Sequence, residues 1–214
     1  MNLIKVTSQI SDGSMAVVPG VSEYEAMSNK EKFCRQIGID LGYLARGEQV
    51  HGNNVAVVSE KPERKFLSTD ALITNIPGIF LSVFTADCVP VFLWDESNQI
   101  AGVAHAGWRG VAAGIVPATV QAIVHEYGVT AGNLKAFIGP CIRPCHHIVD
   151  EEHCDLSVTV TGQLIANGLS IDNVVDSGEC TYCLADKYFS LRRDKSEKFP
   201  RGKGNILSII GWKK

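Results

Sequence analysis

Three residues able to hold a transition metal, His51, Cys88 and His105, are spread over about 55 positions. Two imidazoles and one thiolate leave a coordination position open, the arrangement of a catalytic metal rather than a structural one. The set suits Zn²⁺ with a bound water, and it equally suits copper in a trigonal site. Spacing alone would read as packed side chains in a β-rich chain, but the local context argues for a site. Each residue is followed by a turn former, in His51-Gly52, Cys88-Val89-Pro90 and His105-Ala106-Gly107, where side chains face clefts. Asp87, beside Cys88, can orient a ligand or relay a proton, or simply serve a turn. Gly107-Trp108-Arg109-Gly110 opens a helix whose free N–H groups, with Arg109, can take an anion such as phosphate. Arg192-Arg193-Asp194 offers further substrate-anion contacts, or else a surface ion-pair cluster.

A second group joins Cys141-Ile-Arg-Pro-Cys145-His146-His147 to Cys180-Thr-Tyr-Cys183. Two close cysteine pairs resemble a structural zinc site, although the first spacing is irregular and Pro144 constrains its loop; packed cysteines are the competing reading. GxGxxG, the P-loop, HExxH and GxSxG are all missing, so nicotinamide, ATP and serine-hydrolase chemistry have no support in the sequence.

The elements that must position these residues fit one domain of 214 residues, long enough to bury a core without disulfides. With 20 basic and 23 acidic side chains and no block of like charge, neither nucleic acid nor a membrane is the expected partner. Seven cysteines and no apolar run in Met1–Ile10 give reduced thiols and a cytoplasmic location as the expectation. Leu3–Val6 and Met15–Val18 predict an N-terminal hairpin around Asp12-Gly13. Asn29 is the expected cap of a helix to Ile37, with Phe33, Cys34 and Ile37 inward. Val55–Val58, Ala71–Thr74, Ile79–Phe84, Val89–Trp94, Ile100–Ala104, Leu134–Ile138, Asn173–Val175 and Asn205–Ile210 read as strands. Gly110–Tyr127 reads as one helix kinked at Pro117, and Glu151–Asn167 as another. The expected class is α/β (α+β): a single domain with a mixed, mostly buried β-sheet flanked by helices.

The run HG (51–52), DALIT (70–74), TADCVPVFLWD (85–95), AHAGWRG (104–110), IGPCI (138–142), CTYC (180–183) and YFSLRRD (188–194) closely resembles a single family over nearly the whole chain. It is the family long labelled multicopper polyphenol oxidase or laccase, whose members are also described as purine nucleoside phosphorylases with adenosine deaminase activity. The resemblance implies His51, Cys88 and His105 as metal ligands, a purine nucleoside and phosphate as small-molecule partners, and a monomer or homodimer. It also implies a fold similar to the catalytic domain of necrotizing-factor toxins, in which a Cys–His pair is nucleophilic. The chain departs from the family in a shortened stretch after IGPCI, in the loop IRPCHHIV, and in FSLRRD where FSYRRD is usual.

The chemistry implied is phosphorolysis of adenosine or inosine to free base and ribose 1-phosphate, with deamination of adenosine by zinc-activated water. Two alternatives come with the resemblance. A copper-dependent polyphenol oxidase would need many histidines in His-x-His pairs, whereas the chain has 6 histidines and no such pair. A Cys88–His105 hydrolase would cut amides in peptidoglycan precursors.

Overall fold

Burial along two strands sets the layering. Every residue of β6 (Val89–Asp95) and β7 (Ile100–Ala106) is buried, as expected of strands covered on both faces. Val89, Val91 and Leu93, with Ile100, Ala104 and Ala106, pack against helices; Phe92, Trp94, Ala101 and Val103 pack against a second sheet. The computed structural model describes residues 2–62, 65–149, 151–200 and 202–214. Its layers run helix, sheet, sheet, helices.

The larger sheet adds β3 (Val55–Val57), β4 (Ala71–Thr74), β8 (Lys135–Ile138) and β11 (Val174–Asp176), giving the order β11-β8-β6-β7-β4-β3. Its four central strands are antiparallel neighbours, and β3 and β11 run parallel to β4 and β8 at the edges. Helices α2 (Trp108–Ala112), α3 (Ile115–Tyr127) and α4 (Leu156–Ala166) cover its outer face through Val111, Ile115, Val120, Ile123, Val160 and Leu164. The smaller sheet consists of β1 (Leu3–Thr7), β2 (Leu44–Arg46), β5 (Phe80–Thr85) and β12 (Ile206–Trp212), in the order β1-β12-β5-β2. On its outer face α1 (Glu23–Gln36) sets Phe33 and Cys34 against Phe80, Leu207 and Ile209. A two-stranded ribbon, β9 (Ile148–Val149) with β10 (Glu152–His153), and the short α5 (Leu191–Asp194) complete the chain. The mixed sheet flanked by helices is therefore present, divided between two sheets.

Four local expectations are corrected. No N-terminal hairpin forms: Leu3–Thr7 pairs with Ser208–Trp212 at the far end of the chain, and Met15 is fully buried outside any strand. Helix α1 starts six residues before Asn29, because Ser22 accepts the Glu25 N–H and caps it; Asn29 instead donates to the Ser14 carbonyl. The helix expected over Gly110–Tyr127 is two helices. Gly114, at φ 84°, makes the break, and Pro117 stands harmlessly in the first turn of α3. Helix α4 begins only at Leu156, where the Asp155 carboxylate accepts the Val158 N–H.

Candidate metal centre and cavity

Strand register brings the predicted ligands together. The β6–β7 hairpin sets Val89 opposite Ala106 and Pro90 opposite His105, so Cys88, one residue before β6, arrives beside His105. Strand β4 pairs Ala71 with Ala104 on the other side of β7, which carries Asp70 to His105; the His105 N–H donates to the Asp70 carbonyl at 2.8 Å. His51 comes from the loop before β3 and is placed by Asp70 as well. The Asp70 carboxylate accepts the successive N–H groups of Val50 (3.1 Å), His51 (3.0 Å) and Gly52 (2.9 Å), a small nest closed around an anion. That grip holds His51 at φ 60°, a conformation uncommon outside glycine. Gln49 ties the loop to β5: its amide donates to the Phe84 carbonyl and accepts the Phe84 N–H.

The donor atoms of His51, Cys88 and His105 lie within 4.8 Å of one another, with Cys88 Sγ 3.9 Å from His51 Nε2. The two imidazoles meet edge to face, their centroids 4.7 Å apart. His105 is buried, and its Nδ1 lies 2.8 Å from Asp70 Oδ1. Since a carboxylate accepts, Nδ1 carries a proton, which leaves Nε2 as the nitrogen that would give up its proton to a metal, the carboxylate–histidine arrangement that orients a metal ligand. Gly107 keeps the space clear: a Cβ there would stand 2.8 Å from His51 Cδ2 and 2.9 Å from Cys88 Sγ.

Charge in the trio is strongly coupled. Burial pushes the Cys88 thiol up, but hydrogen bonds to His105 and His51 and their charges outweigh it and bring the pKa down to about 6. Burial pulls His105 down, but Asp70 and Cys88 dominate and raise it to about 9. Asp70 is lifted by burial and held below the usual carboxylate range by His105 and the N–H groups of Gly52 and Val50. A thiolate is thus favoured at Cys88, the form in which sulfur ligates metals or attacks carbon.

A cavity of about 440 Å³ opens beside His51 and Cys88, lined by Arg109, Arg192 and Lys195 together with Ile142, His147 and Leu156. Trp108 is 42% exposed at its rim, and Arg109 stacks over the Trp108 ring at 4.2 Å. None of the three cations is ion-paired among the described residues. A second cavity of about 860 Å³ reaches the trio from the side of Lys30, Arg46 and Phe84.

The other predicted residues separate. Asp87 lines the first cavity, but its carboxylate accepts the Thr181 hydroxyl and the Arg192 N–H, each at 2.7 Å, and its carbonyl accepts the Ile142 N–H. It fastens three wall segments together and makes no hydrogen bond to Cys88 or His105. Arg192 faces the cavity, whereas Arg193 turns inward, its guanidinium donating to the carbonyls of Thr181, Tyr182 and Tyr188 and to Asp194. Cys141 is fully buried in the core, while the sulfurs of Cys145, Cys180 and Cys183 converge. Four residues of the site carry no spacing signal in the sequence: Asp70, Gln49, His147 and Lys195. DALIT was a motif of the resemblance, yet nothing in it marks Asp70 as the carboxylate behind His105.

The family model described as multi-copper polyphenol oxidoreductase laccase matches residues 20–155 and 150–213. The chain is 32% identical over 191 residues, covering 74% of it and 72% of the relative, to a protein of an unknown prokaryotic organism named Adenosine deaminase RL5. To Purine nucleoside phosphorylase YlmD of Bacillus subtilis (strain 168) it is 28% identical over 221 residues, covering 88% of this chain and 78% of the relative. The solved structure of YlmD from Geobacillus stearothermophilus has the same fold, with a TM-score of 0.91 at 24% identity over 99% of this chain and 92% of that one. Motifs, strand register and these likenesses agree, and the chain belongs to the multi-copper polyphenol oxidoreductase laccase family.

Proposed function

We propose that the chain is a metal-dependent purine nucleoside enzyme that splits adenosine or inosine with phosphate to free base and ribose 1-phosphate, and that also deaminates adenosine. One observation carries the reading. A ligand-sized cavity sets His51 and Cys88, two members of the donor trio, in one wall with three cations that no described carboxylate neutralises. The names of the relatives support it: one is a purine nucleoside phosphorylase and another an adenosine deaminase.

The donor chemistry fits a transition metal, since Gly107 leaves the trio room and Asp70 fixes the tautomer of His105. His51, Cys88 and His105 would hold it, and a zinc ion so bound supplies water with a pKa of roughly 7. The chain's own residues do the rest. In phosphorolysis a phosphate oxygen joins C1′ as the C1′–N9 bond breaks and the base leaves with the bonding pair. Arg109, Arg192 and Lys195 hold the phosphate and neutralise its charge. Trp108 offers an exposed ring to the purine face. His147 donates its Nδ1–H to the Cys154 carbonyl at 3.0 Å, which leaves Nε2 as an acceptor for a purine N–H. Ile142, Leu156 and Leu191 exclude water from the purine.

The test is mass spectrometry of products from purified protein with adenosine, with and without phosphate. Adenine and ribose 1-phosphate appearing only with phosphate, together with inosine, is the expected result. Metal-loaded protein that yields neither product refutes it. Copper in the same trio would make a phenol oxidase, the reading that the family's description favours; a phenol substrate run in parallel decides that.

A further inference from the structure

We propose that Cys145, Cys180, Cys183 and His146 form a second, structural binding site for a divalent metal of the zinc type. This site is separate from the His51–Cys88–His105 trio. The three sulfurs lie within 4.8 Å of one another. Cys145 Sγ is 4.0 Å from Cys180 Sγ and 3.7 Å from Cys183 Sγ. Zinc–sulfur bonds of about 2.3 Å at tetrahedral angles require sulfurs about 3.8 Å apart, so both separations fit an edge of the polyhedron. Bonds of about 2.05 Å to nitrogen and 2.3 Å to sulfur give an edge of about 3.6 Å, and His146 Nδ1 stands 3.5 Å from Cys183 Sγ. His146 thus sits outside the set of mutually close sulfurs but beside Cys183, where its ring, stacked on Tyr182 with centroids 3.8 Å apart, would supply the fourth donor.

Packing does not account for the cluster. Cysteines kept as small hydrophobes are buried, as Cys34 and Cys141 are here, but Cys145 and Cys183 are exposed. Nor does a disulfide, which brings two sulfurs to about 2.05 Å and leaves a third without a role. The turn itself is closed by hydrogen bonds: the Leu184 N–H donates to the Cys180 carbonyl and the Thr181 N–H to the Cys141 carbonyl, each at 3.0 Å.

The ligands come from two loops that wall the cavity. Cys145 and His146 lie between Ile142 and His147, both cavity residues. Thr181, between the other two ligands, donates to Asp87, and Arg193 ties the Thr181 and Tyr182 carbonyls to α5, where Arg192 faces the cavity. A metal here would clamp the 141–149 loop to the 180–183 turn and hold the wall in place without touching substrate.

The experiment counts metal in full-length protein reconstituted with Zn²⁺ under reducing conditions and desalted. Native mass spectrometry is paired with elemental analysis. Wild type should carry two equivalents, Cys145→Ala one and Cys88→Ala one. With Co²⁺ in place of zinc, the thiolate charge-transfer band should fall to the level of a single thiolate in Cys180→Ala/Cys183→Ala, since only Cys88 remains. His146→Ala should lose the second equivalent to a chelator before wild type does. A wild type holding a single equivalent that vanishes in Cys88→Ala overturns the proposal, as does Cys145→Ala retaining two. Both readouts are independent of turnover, so the result stands whatever reaction the first site runs.

Discussion

Asp70→Asn is the substitution that most directly tests how the ligand set is held. Four N–H donors converge on the Asp70 carboxylate: Val50 and Gly52 on Oδ2, His51 and His105 Nδ1 on Oδ1. An amide has one oxygen and an NH₂. If the oxygen keeps Val50 and Gly52, the NH₂ faces the His51 N–H, and His105 must accept at Nδ1, moving its proton to Nε2, the nitrogen needed for metal. If the oxygen turns the other way, two loop N–H groups lose their acceptor. Either arrangement leaves at least one buried donor unsatisfied and removes charge-assisted bonds, a loss of about 3 kcal/mol. For a chain of this length that is a fall in melting temperature of about 6–12 °C. Metal affinity should fall about 10- to 100-fold on top of it, as when a carboxylate behind a ligand histidine is lost. Thermal unfolding and chelator competition measure the two effects. Asp95→Asn is the control, because buried Asp95 accepts the Ser97 and Asn98 N–H groups at the far end of the β6–β7 hairpin. It should lower stability and spare metal affinity. Wild-type metal affinity in Asp70→Asn, or equal loss of affinity in both variants, would refute an orienting role for Asp70.

Four further outcomes follow from the structure. Arg109→Ala should raise the KM for phosphate about 10- to 150-fold, the equivalent of one charge-assisted bond. Arg193→Ala should instead cost about 3 kcal/mol of stability, because its guanidinium holds three carbonyls and Asp194; steady-state kinetics and thermal melts separate the two. Gly107→Ala, whose Cβ would press on His51 and Cys88, should strip metal from the first site while the circular dichroism spectrum is retained. Asp176 is raised by burial, but the Arg143 guanidinium and the Gly178 N–H hold it below the usual carboxylate range. Its stabilisation is therefore fully present above the unfolded carboxylate pKa near 4 and is lost as pH falls through the lower folded value. Asp176→Asn should flatten that acid limb of stability and, because Asp176 is exposed and its ion pair screened, remove only about 0.5–1 kcal/mol at neutral pH, as urea titrations at several pH values would show.

Most strands were legible because β4, β6, β7 and β12 are buried throughout and so read as unbroken apolar runs. The N-terminal hairpin was misread for the opposite reason. Nothing local in Leu3–Thr7 announces a partner some 200 residues away, and Asp12-Gly13 looks like a hairpin turn whether or not a strand follows. Gly110–Tyr127 misled because apolar spacing continues smoothly across the break, while Gly114, which makes it, weighs less in a sequence than Pro117, which does not. In the site, a cysteine and two histidines stand out by type. A lone aspartate does not, and neighbours such as Arg192 and Arg193 give no sign that one faces the cavity and the other the wall.

The division of labour in the fold explains why the candidate ligands stand out in the sequence and the residues that would set specificity do not. Cys88, His105 and Asp70 sit at the ends of three adjacent strands whose register is locked by burial on both faces, so their mutual positions follow from the core. The cavity that would select a substrate is built from loops: Ile142 and His147 from one, and Leu191, Arg192 and Lys195 from α5 and its flanks. These are also the segments that carry IRPCHHIV and FSLRRD. A change there can alter which substrate fits without moving His51, Cys88 or His105. The same loop supplies Cys145 and His146, so a second metal would hold this wall of the cavity in place. The two ideas are linked by one consequence: removing the second metal through Cys145→Ala should change KM for the nucleoside more than it changes metal occupancy at His51, Cys88 and His105. Loss of both metals together in that variant would mean that the wall and the ligand set are a single cooperative unit, and that the core alone does not position the site.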